Sequence, residues 1–430
     1  MPEPLNSPES AIDSGAGSPR QTGATAELRS TKTIRSRADA LLARARRGES
    51  AWFTVNDGAM ITAAALVAEL TRARYPDLNI PYHSRWRHFE AGGVDRLAQL
   101  NAAFRPAGSR ERAHAQIDLA LVSVLLDAGA GPDWCYHEAA SGEHPAQEFS
   151  RSEGLGVASF HAFSAGLFSS KPQQPLQVDA AGLQAVTAER LAEAFQVTPT
   201  NPLVGLEGRA ALLRRLGQAL QDQPALFGQP GRPGHLFDRL TDEGQRAIQA
   251  HDLLSLLLTG LSGIWPARNL LGGEALGDCW RHPAAGQDAD GASAGWMPFH
   301  KLSQWLTYSL LEPFEWAGVQ VQGLEALTGL PEYRNGGLFL DAGVLLLKDP
   351  GQAERLHQAG DELIVEWRAL TVALLDELAP LVREQLGLSA VQMPLACVLE
   401  GGTWAAGRAL AQQLHAGKPP LNIQSDGTIF

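Results

Sequence analysis

Apolar residues recur at every third or fourth position along much of the chain, the spacing that gathers them on one face of an α-helix. Three segments follow this period most closely. Their apolar positions are Ile117, Leu121, Val124, Leu125 and Ala128; Leu206, Leu212, Leu213, Leu216 and Leu220; and Leu363, Trp367, Leu370, Leu374 and Leu378. Gly129 supplies a stop for the first helix, and the third is predicted to end before Pro380. The pattern therefore predicts a mainly α-helical protein.

Other segments extend the helical prediction, and strand patterns are few. A basic helical pattern runs from residue 31 to 48, and residues 251–261 are apolar nearly all round, which is typical of a helix in the middle of a core. Thr187 is predicted to cap the start of a further helix. Residues 319–322 alternate with the period of a strand. The short apolar runs that fit either a buried strand or a helix are residues 338–340 and 344–347.

The chain divides by composition into a short tail and one large domain. Residues 1–30 are mostly Pro, Ser, Gly, Ala and Thr, so they cannot bury enough apolar surface to offset the entropy of ordering and are predicted to be disordered. Residues 31–430 are predicted to form a single helical domain, with two lobes, 31–200 and 201–430, and a site between them as the alternative. The Ala-, Gly- and Asp-rich stretch 283–295 is predicted to be a loop insertion.

Composition and charge narrow the class of protein. The 430 residues are 44% hydrophobic, enough for a large core, and the net charge is −12. An acidic balance argues against a protein that coats nucleic acid or lies on a membrane surface, since both need a basic face. Cys135, Cys279 and Cys397 are far apart and are predicted to be reduced thiols. With no signal-peptide pattern and no apolar run of bilayer length, the protein is predicted to be cytoplasmic, without nucleic-acid or membrane partners.

Familiar catalytic motifs are absent from the sequence: it has no Walker A motif, no G-x-G-x-x-G after a strand and no H-E-x-x-H. Residues 291–295 match G-x-S-x-G, but they lie in a low-complexity stretch with no strand before them, so the match does not indicate a nucleophile elbow. His137, Glu138, Glu143 and His144 are of metal-ligand type, yet their spacing matches no recognised site, and solvated loop residues are the simpler interpretation. No metal and no organic cofactor is expected.

Several segments concentrate groups that bury poorly but recognise ligands well. Residues 82–89 hold two arginines and two histidines among three aromatic residues, which fits either a surface helix start or a pocket for a planar or anionic ligand. Two tryptophans, two arginines and an aspartate occur within residues 265–269 and 277–282, after the apolar helix, where a cleft can open. Structural and functional interpretations stay open for both. Glu366 and Arg368 are interpreted as structural ion-pair partners.

The most concentrated chemistry lies in the turn at residues 330–337. Pro331 restricts the backbone at its start, and a pair of glycines permits tight geometry at its end. Between them stand Glu332, Tyr333 and Arg334. The turn fits either a helix cap with a surface ion pair, or a catalytic carboxylate that faces a developing cation while Arg334 holds the substrate or tunes Glu332.

Six segments, in order along the chain, resemble one known family. They are residues 80–89, 151–155, 201–209, 297–305, 327–337 and 398–404. On these motifs the chain, from about residue 35 to Phe430, resembles the uracil-catabolism protein 4 family. The resemblance implies a uracil-degradation route that uses neither the reductive nor the oxidative pathway and releases the urea portion of the base. A ribosylurea-type N-glycoside is the implied intermediate, and other uracil-catabolism enzymes are implied partners.

A weaker resemblance implies a fold and a mechanism. Residues 327–334 and 360–369 are similar to segments of the queuosine-salvage N-glycosylases, which are helical and related in architecture to the DNA glycosylases. The implied fold is a DNA-glycosylase-like helical architecture with few short strands. The catalytic aspartate of that family falls on Glu332, and its substrate-holding lysine falls near Arg268, although the spacing there differs by about two residues.

The predicted activity is hydrolysis of a ribosyl C1–N bond with release of urea. Glu332 would stabilise the oxocarbenium-like transition state or deprotonate water, while Asp278 or His300 would protonate the leaving group. The predicted contacts to a nucleoside or nucleotide-like substrate are Arg334, Tyr333, Arg268, Trp280, His83, Arg85, Trp86 and His300. The arginines would hold a 5′-phosphate if the substrate carries one, and the aromatic residues would enclose a planar leaving group. Two alternatives stay open: a non-catalytic sensor or channelling protein for a pyrimidine breakdown product, and an amidohydrolase that acts on the urea group.

Overall fold

Helices make up most of the structure. The computed structural model describes residues 23–104, 108–127, 129–142, 144–241, 244, 246–265, 269–287 and 291–424. The α-helices are α1 (Gly23–Leu28), α2 (Thr31–Arg46), α3 (Met60–Arg74), α4 (Trp86–Phe89), α5 (Arg96–Ala102), α6 (Ser109–Leu125), α7 (Arg151–Ser164), α8 (Ala180–Gln184), α9 (Ala188–Ala194), α10 (Leu206–Asp222), α11 (Pro224–Phe227), α12 (His235–Leu240), α13 (Ala250–Gly260), α14 (Lys301–Trp316), α15 (Tyr333–Asp341), α16 (Glu362–Leu386), α17 (Leu395–Val398) and α18 (Trp404–His415). A π-helical turn, Leu399–Thr403, joins the last two.

The strands are short. They are β1 (Phe53–Val55), β2 (Cys135–Glu138), β3 (Gln147–Ser150), β4 (Ala247–Gln249), β5 (Leu270–Leu271), β6 (Glu274–Ala275), β7 (Cys279–Arg281), β8 (Trp296–Pro298), β9 (Gln320–Gln322), β10 (Leu345–Leu347), β11 (Leu356–His357) and β12 (Asn422–Ile423). Among the described residues they form only two-stranded ladders, in the pairs β1–β10, β2–β3, β4–β9, β5–β6, β7–β8 and β11–β12. The predicted mainly α fold class, with few short strands, is confirmed.

Most predicted elements form where their patterns place them. α6, α10 and α16 cover the three segments that follow the helical period most closely, and α13 covers the apolar run at 251–261. Leu121 in α6 and Leu213 in α10 are fully buried. Thr187 caps α9, because its hydroxyl accepts a hydrogen bond from the backbone N–H of Arg190 at 3.3 Å. Of the two ambiguous apolar runs, the first is helical in α15 and the second forms β10. Periodicity alone could not separate these outcomes, since both runs are too short.

α16 differs from its predicted length. The helix continues through Pro380 to Leu386. A proline inside a helix removes one backbone hydrogen bond, but the apolar face of α16 continues beyond it, with Val382 fully buried and Leu386 7% exposed. Burial of this face outweighs the lost hydrogen bond, so the prediction that the helix ends before Pro380 was wrong.

The described chain begins inside the segment predicted to be disordered. Residues 23–28 form α1, in which Thr25 and Leu28 are fully buried. Ser30 then caps α2, with its hydroxyl accepting from the N–H of Lys32 at 3.2 Å. The boundary predicted at residue 30 is therefore too late, because one leucine packed into a neighbouring surface suffices to order a short turn. The rest of that predicted tail, residues 1–22, lies outside the described residues.

The apolar core runs across both halves of the chain. α14 packs against α6, and α16 packs against α2 and α3, so helices from the second half are buried against helices from the first. The loop predicted at 283–295 has neither helix nor strand in its described residues, 283–287 and 291–295. No helix in the described ranges combines the length and the apolar character that crossing a bilayer would need.

α15 is held tightly between α16 and α18. The indole N–H of Trp367 donates to the carbonyl of Gly336 at 3.1 Å. On the other side Gly407 lies so close to α15 that an added Cβ would stand 1.9 Å from the carbonyl oxygen of Arg334. Only a glycine allows this approach. The first turn of α15, which follows Glu332, is therefore fixed by two neighbouring helices.

Candidate functional site

Glu332 caps α15 with its own side chain. One carboxylate oxygen accepts from the backbone N–H of Arg334 at 2.8 Å, and the other accepts from the N–H of Asn335. Burial raises the pKa of Glu332, and these two N–H groups together with the nearby Lys301 ammonium offset only part of that increase. The interpretation of the turn as a helix cap is confirmed, and Glu332 is also a buried, oriented carboxylate with a raised pKa. Its catalytic role stays a prediction.

Lys301 is the nearby cation that most favours the ionised form of Glu332. It begins α14, directly after His300, whose backbone has a left-handed φ of 49°. Burial lowers the pKa of Lys301, although the carboxylates of Glu332 and Asp127 favour its charged form. Sequence reasoning missed this lysine, although it lies within the motif 297–305 that carries the family resemblance. A lysine with a lowered pKa near a buried carboxylate with a raised pKa is a pair suited to moving protons.

Asp127, just after α6, is a second carboxylate near Lys301 that sequence reasoning missed. It accepts from Nη1 of Arg85 at 2.8 Å and from the hydroxyl of Ser152 at 3.1 Å. Burial would raise the pKa of Asp127, but Arg85 outweighs it, so the pKa lies below its usual range and the group is ionised. The remaining terminal nitrogen of Arg85, Nη2, is buried without a hydrogen-bond partner in the described part of the protein. Arg85 is thus held by Asp127 and by the hydroxyl of Ser123, and its predicted contact with a substrate stays a prediction.

Asp278 lies next to the backbone of Lys301, and both of its carboxylate oxygens accept hydrogen bonds. Its two oxygens accept from the two terminal nitrogens of Arg368 at 2.7 and 2.8 Å. They also accept from the indole N–H of Trp280 at 2.7 Å and from the backbone N–H of Lys301 at 3.0 Å. Burial would raise the pKa of Asp278, but Arg368 outweighs it and lowers the pKa to about 2. Asp278 therefore carries no proton to donate near neutral pH, which argues against a role as general acid.

His300 is the other residue predicted to act as general acid, and its side chain bonds to α1. Its Nε2 lies 2.9 Å from the carbonyl oxygen of Leu28 in α1, so this nitrogen carries the proton and donates it. Burial lowers the pKa of His300, which keeps the ring neutral. The contact explains how α1 is attached to the domain, and it gives His300 a structural task that the sequence did not reveal.

Tyr333 and Arg334 occupy different sides of the first turn of α15. Tyr333 is 36% exposed, and its ring lies 4.8 Å from the guanidinium carbon of Arg334. Arg334 is only 4% exposed and donates to the carbonyl of Gly417 at 3.2 Å. Its Nε and Nη1 are buried and find no hydrogen-bond partner among the described residues. Tyr333 is thus partly accessible from solvent, while Arg334 packs against its ring and bonds to Gly417.

The other predicted contacts are not all brought into this cluster. Trp86 is a core residue, 2% exposed, whose indole N–H donates to the carbonyl of Ser309 at 2.8 Å, so its prediction as a pocket wall was wrong. His83 lies 2.8 Å from a carboxylate oxygen of Glu400. Arg268 lies outside the described residues.

The predicted ion pairing within α16 is also different. Glu366 lies 3.1 Å from Nε2 of His282, and it accepts from the hydroxyl of Ser50, whereas Arg368 pairs with Asp278. The two residues point to different sides of the helix, because neighbours two positions apart are separated by about 200°. They are structural ion-pair residues as predicted, but not with each other.

Groups with metal-ligand spacing occur elsewhere in the described chain. One is His114 with His235 and Asp238, and the other is Cys135 with His137 and Glu148; within each, the ligand atoms lie within 4.8 Å of one another. Neither group contains Glu332 or Lys301. The Ser293 hydroxyl of the G-x-S-x-G match donates to Glu27 at 2.8 Å and accepts from Arg37, which is a structural role.

At the start of two helices near these residues, a residue other than glycine has a left-handed backbone. Arg151, the first residue of α7, has a φ of 54°, and His300, before α14, has a φ of 49°. Left-handed backbone at a residue other than glycine costs energy, and such residues concentrate at functional sites. Ser152 and Lys301 follow directly: the hydroxyl of Ser152 donates to the Asp127 carboxylate, and the backbone N–H of Lys301 donates to the Asp278 carboxylate. We refer to Asp127, Lys301, Glu332 and Tyr333 as the Glu332 cluster.

Sequence comparison with known proteins identifies the family of this chain. Residues 27–430 match a family model described as protein of unknown function (DUF1688). "Protein urg3" of Schizosaccharomyces pombe is 42% identical over 420 residues, which cover 95% of this chain and 100% of that protein. "Uracil catabolism protein 4" of Lachancea kluyveri is 40% identical over 383 residues, which cover 82% of this chain and 85% of that protein. The resemblance to the uracil-catabolism protein 4 family is confirmed.

Proposed function

Because the chain belongs to the DUF1688 family, which includes a relative named for uracil catabolism, we propose that it acts in uracil catabolism and hydrolyses the N-glycosidic bond of a ribosylurea-type intermediate. The observation that carries the proposal is Glu332 itself, a buried carboxylate with a raised pKa that two backbone N–H groups hold in one orientation, with the Lys301 ammonium, whose pKa is lowered, nearby. Shifts in these directions bring a general base and a general acid closer to neutral pH.

Glu332 has the properties needed on the side of the attacking water. As the C1–N bond breaks, positive charge develops on the ribose ring, and a nearby carboxylate stabilises it. Glu332 then accepts a proton from the water whose oxygen bonds to C1. Its two backbone hydrogen bonds hold the carboxylate in one orientation, so little reorganisation is needed during the reaction.

Lys301 is the better candidate for the proton that urea needs to leave. Asp278 is ionised and has no proton to give, and the Nε2–H of His300 donates a hydrogen bond to the carbonyl of Leu28. The Lys301 ammonium is near Glu332, and burial makes it a stronger acid than a lysine in water. Lys301 protonates the departing nitrogen, and it recovers a proton when Glu332 releases the one taken from water.

The remaining members of the Glu332 cluster suit a sugar ligand. Asp127 is ionised, so its carboxylate can accept hydrogen bonds from ribose hydroxyls. Tyr333, which follows Glu332 directly, has a partly exposed ring that can pack against a sugar. The Arg368–Asp278 pair fixes the backbone on both sides of the cluster, through the carbonyl of Pro331 and the N–H of Lys301.

The test is turnover by purified protein. Ribosylurea and its 5′-phosphate are incubated with the protein, and the release of urea and ribose is followed by mass spectrometry. Glu332→Gln and Lys301→Met are each expected to lower kcat by about 10² to 10⁴, the usual contribution of a general base or acid. Glu325→Gln and Lys32→Met change exposed residues of the same types and should retain full activity.

Each other outcome has a definite meaning. Full turnover by Glu332→Gln would contradict the assignment of Glu332. Saturable binding without turnover by the native protein would favour the sensor or channelling function, and release of ammonia from the urea group would favour an amidohydrolase. The compound that reacts faster identifies the substrate as free or phosphorylated.

A further inference from the structure

A cavity of about 320 Å³ lies between β2, the loop that follows it and α7. Its lining includes Tyr136, Glu138 and His161, and none of the Glu332 cluster. Along α7, His161 is nine residues beyond Ser152, the residue that contacts Asp127, which corresponds to about 14 Å of helix. The cavity is therefore separate from the proposed active site. Its volume matches the lower end of small-molecule binding sites.

The base of the cavity is a carboxylate held by a buried arginine. Arg96 is fully buried; its guanidinium donates to both oxygens of Glu138 and to the carbonyls of Phe89 and Ala91, at 2.9 and 2.8 Å. Nε2 of His161 lies 2.6 Å from Glu138. Burial would raise the pKa of Glu138, but the hydrogen bonds from Arg96 and His161 outweigh it and lower the pKa. Glu138 is thus an ionised, fixed acceptor.

One wall of the cavity is flat and aromatic. The rings of Tyr136 and His161 stack with centroids 5.9 Å apart and an angle of 15° between their planes. Tyr136 is 7% exposed, and its hydroxyl makes no hydrogen bond with any residue that the structure describes. Gln99 adds an amide to the lining. A flat wall with unsatisfied polar groups at its edge suits a planar molecule that both donates and accepts hydrogen bonds.

The charge of the lining selects against anions. None of the lining residues in the described chain is a lysine or an arginine, and Glu138 is a carboxylate already neutralised by Arg96. His137, His144 and His161 line the cavity, but no lysine or arginine in the described lining offers a phosphate group the contact it binds best. We propose that this cavity is a second ligand site, which binds an uncharged nucleobase or nucleoside with its ring against the stacked side chains of Tyr136 and His161 and an N–H group directed at Oε2 of Glu138.

Isothermal titration calorimetry on the full-length protein tests the site with three probes: uracil, uridine and uridine 5′-monophosphate. We expect uracil or uridine to bind, and the monophosphate to bind at least tenfold more weakly than uridine. Tyr136→Phe removes only the free hydroxyl and should weaken binding about two- to tenfold, the usual contribution of one hydrogen bond. Ala140→Trp places a large ring in the cavity from an exposed position and should abolish binding.

Variants of the active site separate this proposal from the proposed function. Lys301→Met should bind the neutral probes with unchanged affinity, while Ala140→Trp should still release urea from ribosylurea. Loss of binding in Lys301→Met would place the ligand in the Glu332 cluster and overturn the second site. So would unchanged affinity in Ala140→Trp, tighter binding of the monophosphate than of uridine, or no binding of either neutral probe at millimolar concentration.

Discussion

Arg368 and Asp278, 90 residues apart in the chain, form a buried pair in which each terminal guanidinium nitrogen contacts one carboxylate oxygen, at 2.7 and 2.8 Å. The third guanidinium nitrogen of Arg368 donates to the carbonyl of Pro331 at 3.2 Å, and Asp278 accepts from the backbone N–H of Lys301. The pair thus joins the backbone before Glu332 to the backbone of Lys301. It sets the distance between the two groups that we propose move protons.

This relationship predicts that Asp278 is a positioning residue. Asp278→Asn should lower kcat by about 10 to 100-fold, because the charged hydrogen bonds to Arg368 are worth about 1.5–3 kcal/mol each. Both limbs of the pH profile of kcat should persist, since neither belongs to Asp278. If the alkaline limb disappears in Asp278→Asn, Asp278 is the general acid after all.

Removing one partner of a buried ion pair can also unfold a protein, so a milder variant is needed. Arg368→Lys keeps the charge but loses the two parallel hydrogen bonds. It should show the same fall in kcat with a smaller loss of thermal stability than Asp278→Asn. Arg72→Lys, at an exposed arginine that bonds to the carbonyl of Gln385, is the matched control and should be neutral.

The pH dependence of kcat follows from the two shifted groups. Activity requires Glu332 ionised and Lys301 protonated. The acid limb should therefore lie above 4.5, the ordinary pKa of a glutamate, and the alkaline limb below 10.5, the ordinary pKa of a lysine. The charged groups that face this pair are His83, Asp127, Asp278 and Arg368. Lys301→Met should remove the alkaline limb and leave the acid limb, which initial-rate measurements from pH 4 to 11 will show.

Glu400 makes the structure sensitive to acid. Burial would raise its pKa, but His83, Arg74 and Tyr75 bind its carboxylate and lower the pKa to about 2. A group with a lowered pKa stabilises the folded state above its unfolded pKa, near 4.5, and this stabilisation is lost as the pH falls towards 2. The full contribution is on the order of 3 kcal/mol. Urea denaturation of Glu400→Gln should show lower stability than the native protein at pH 7 and a smaller difference at pH 3.

Close packing of α18 on α15 predicts a large effect from one methyl group. Gly407→Ala should destabilise the protein by several kcal/mol, because its Cβ would overlap the carbonyl of Arg334. Gly208→Ala is the matched control: this glycine also lies in a helix, α10, and nothing lies within 4 Å of an added Cβ. That variant should be neutral or stabilising by up to about 1 kcal/mol. Equal thermal stability of the two variants would contradict the packing described here.

Local patterns were sufficient to predict many elements of this fold. The apolar period located α6, α10 and α13, and the hydroxyl of Thr187 capped its helix, because both depend on residues within a turn or two of each other. The turn around Glu332 was recognisable for the same reason. The prediction that α16 ends before Pro380 was wrong, because the helix beyond it is stabilised by burial against residues that are distant in the chain.

Tertiary structure decided which of the candidate side chains meet. Residues 82–89 carry several groups of similar chemistry. In the folded protein Trp86 is buried in the core, Arg85 bonds to Asp127 and His83 contacts Glu400. No local pattern distinguishes these fates, because the partners are many residues away in the chain.

The sequence by itself determined the helical class, the family and the carboxylate at Glu332, all of which rest on short-range periodicity or contiguous motifs. Only the tertiary structure brought Lys301 near that carboxylate and near Asp127, and joined Asp278 to Arg368. The physical reason is that the pKa and the accessibility of a side chain depend on burial and on charges contributed by other helices. Such surroundings exist only once those helices have packed.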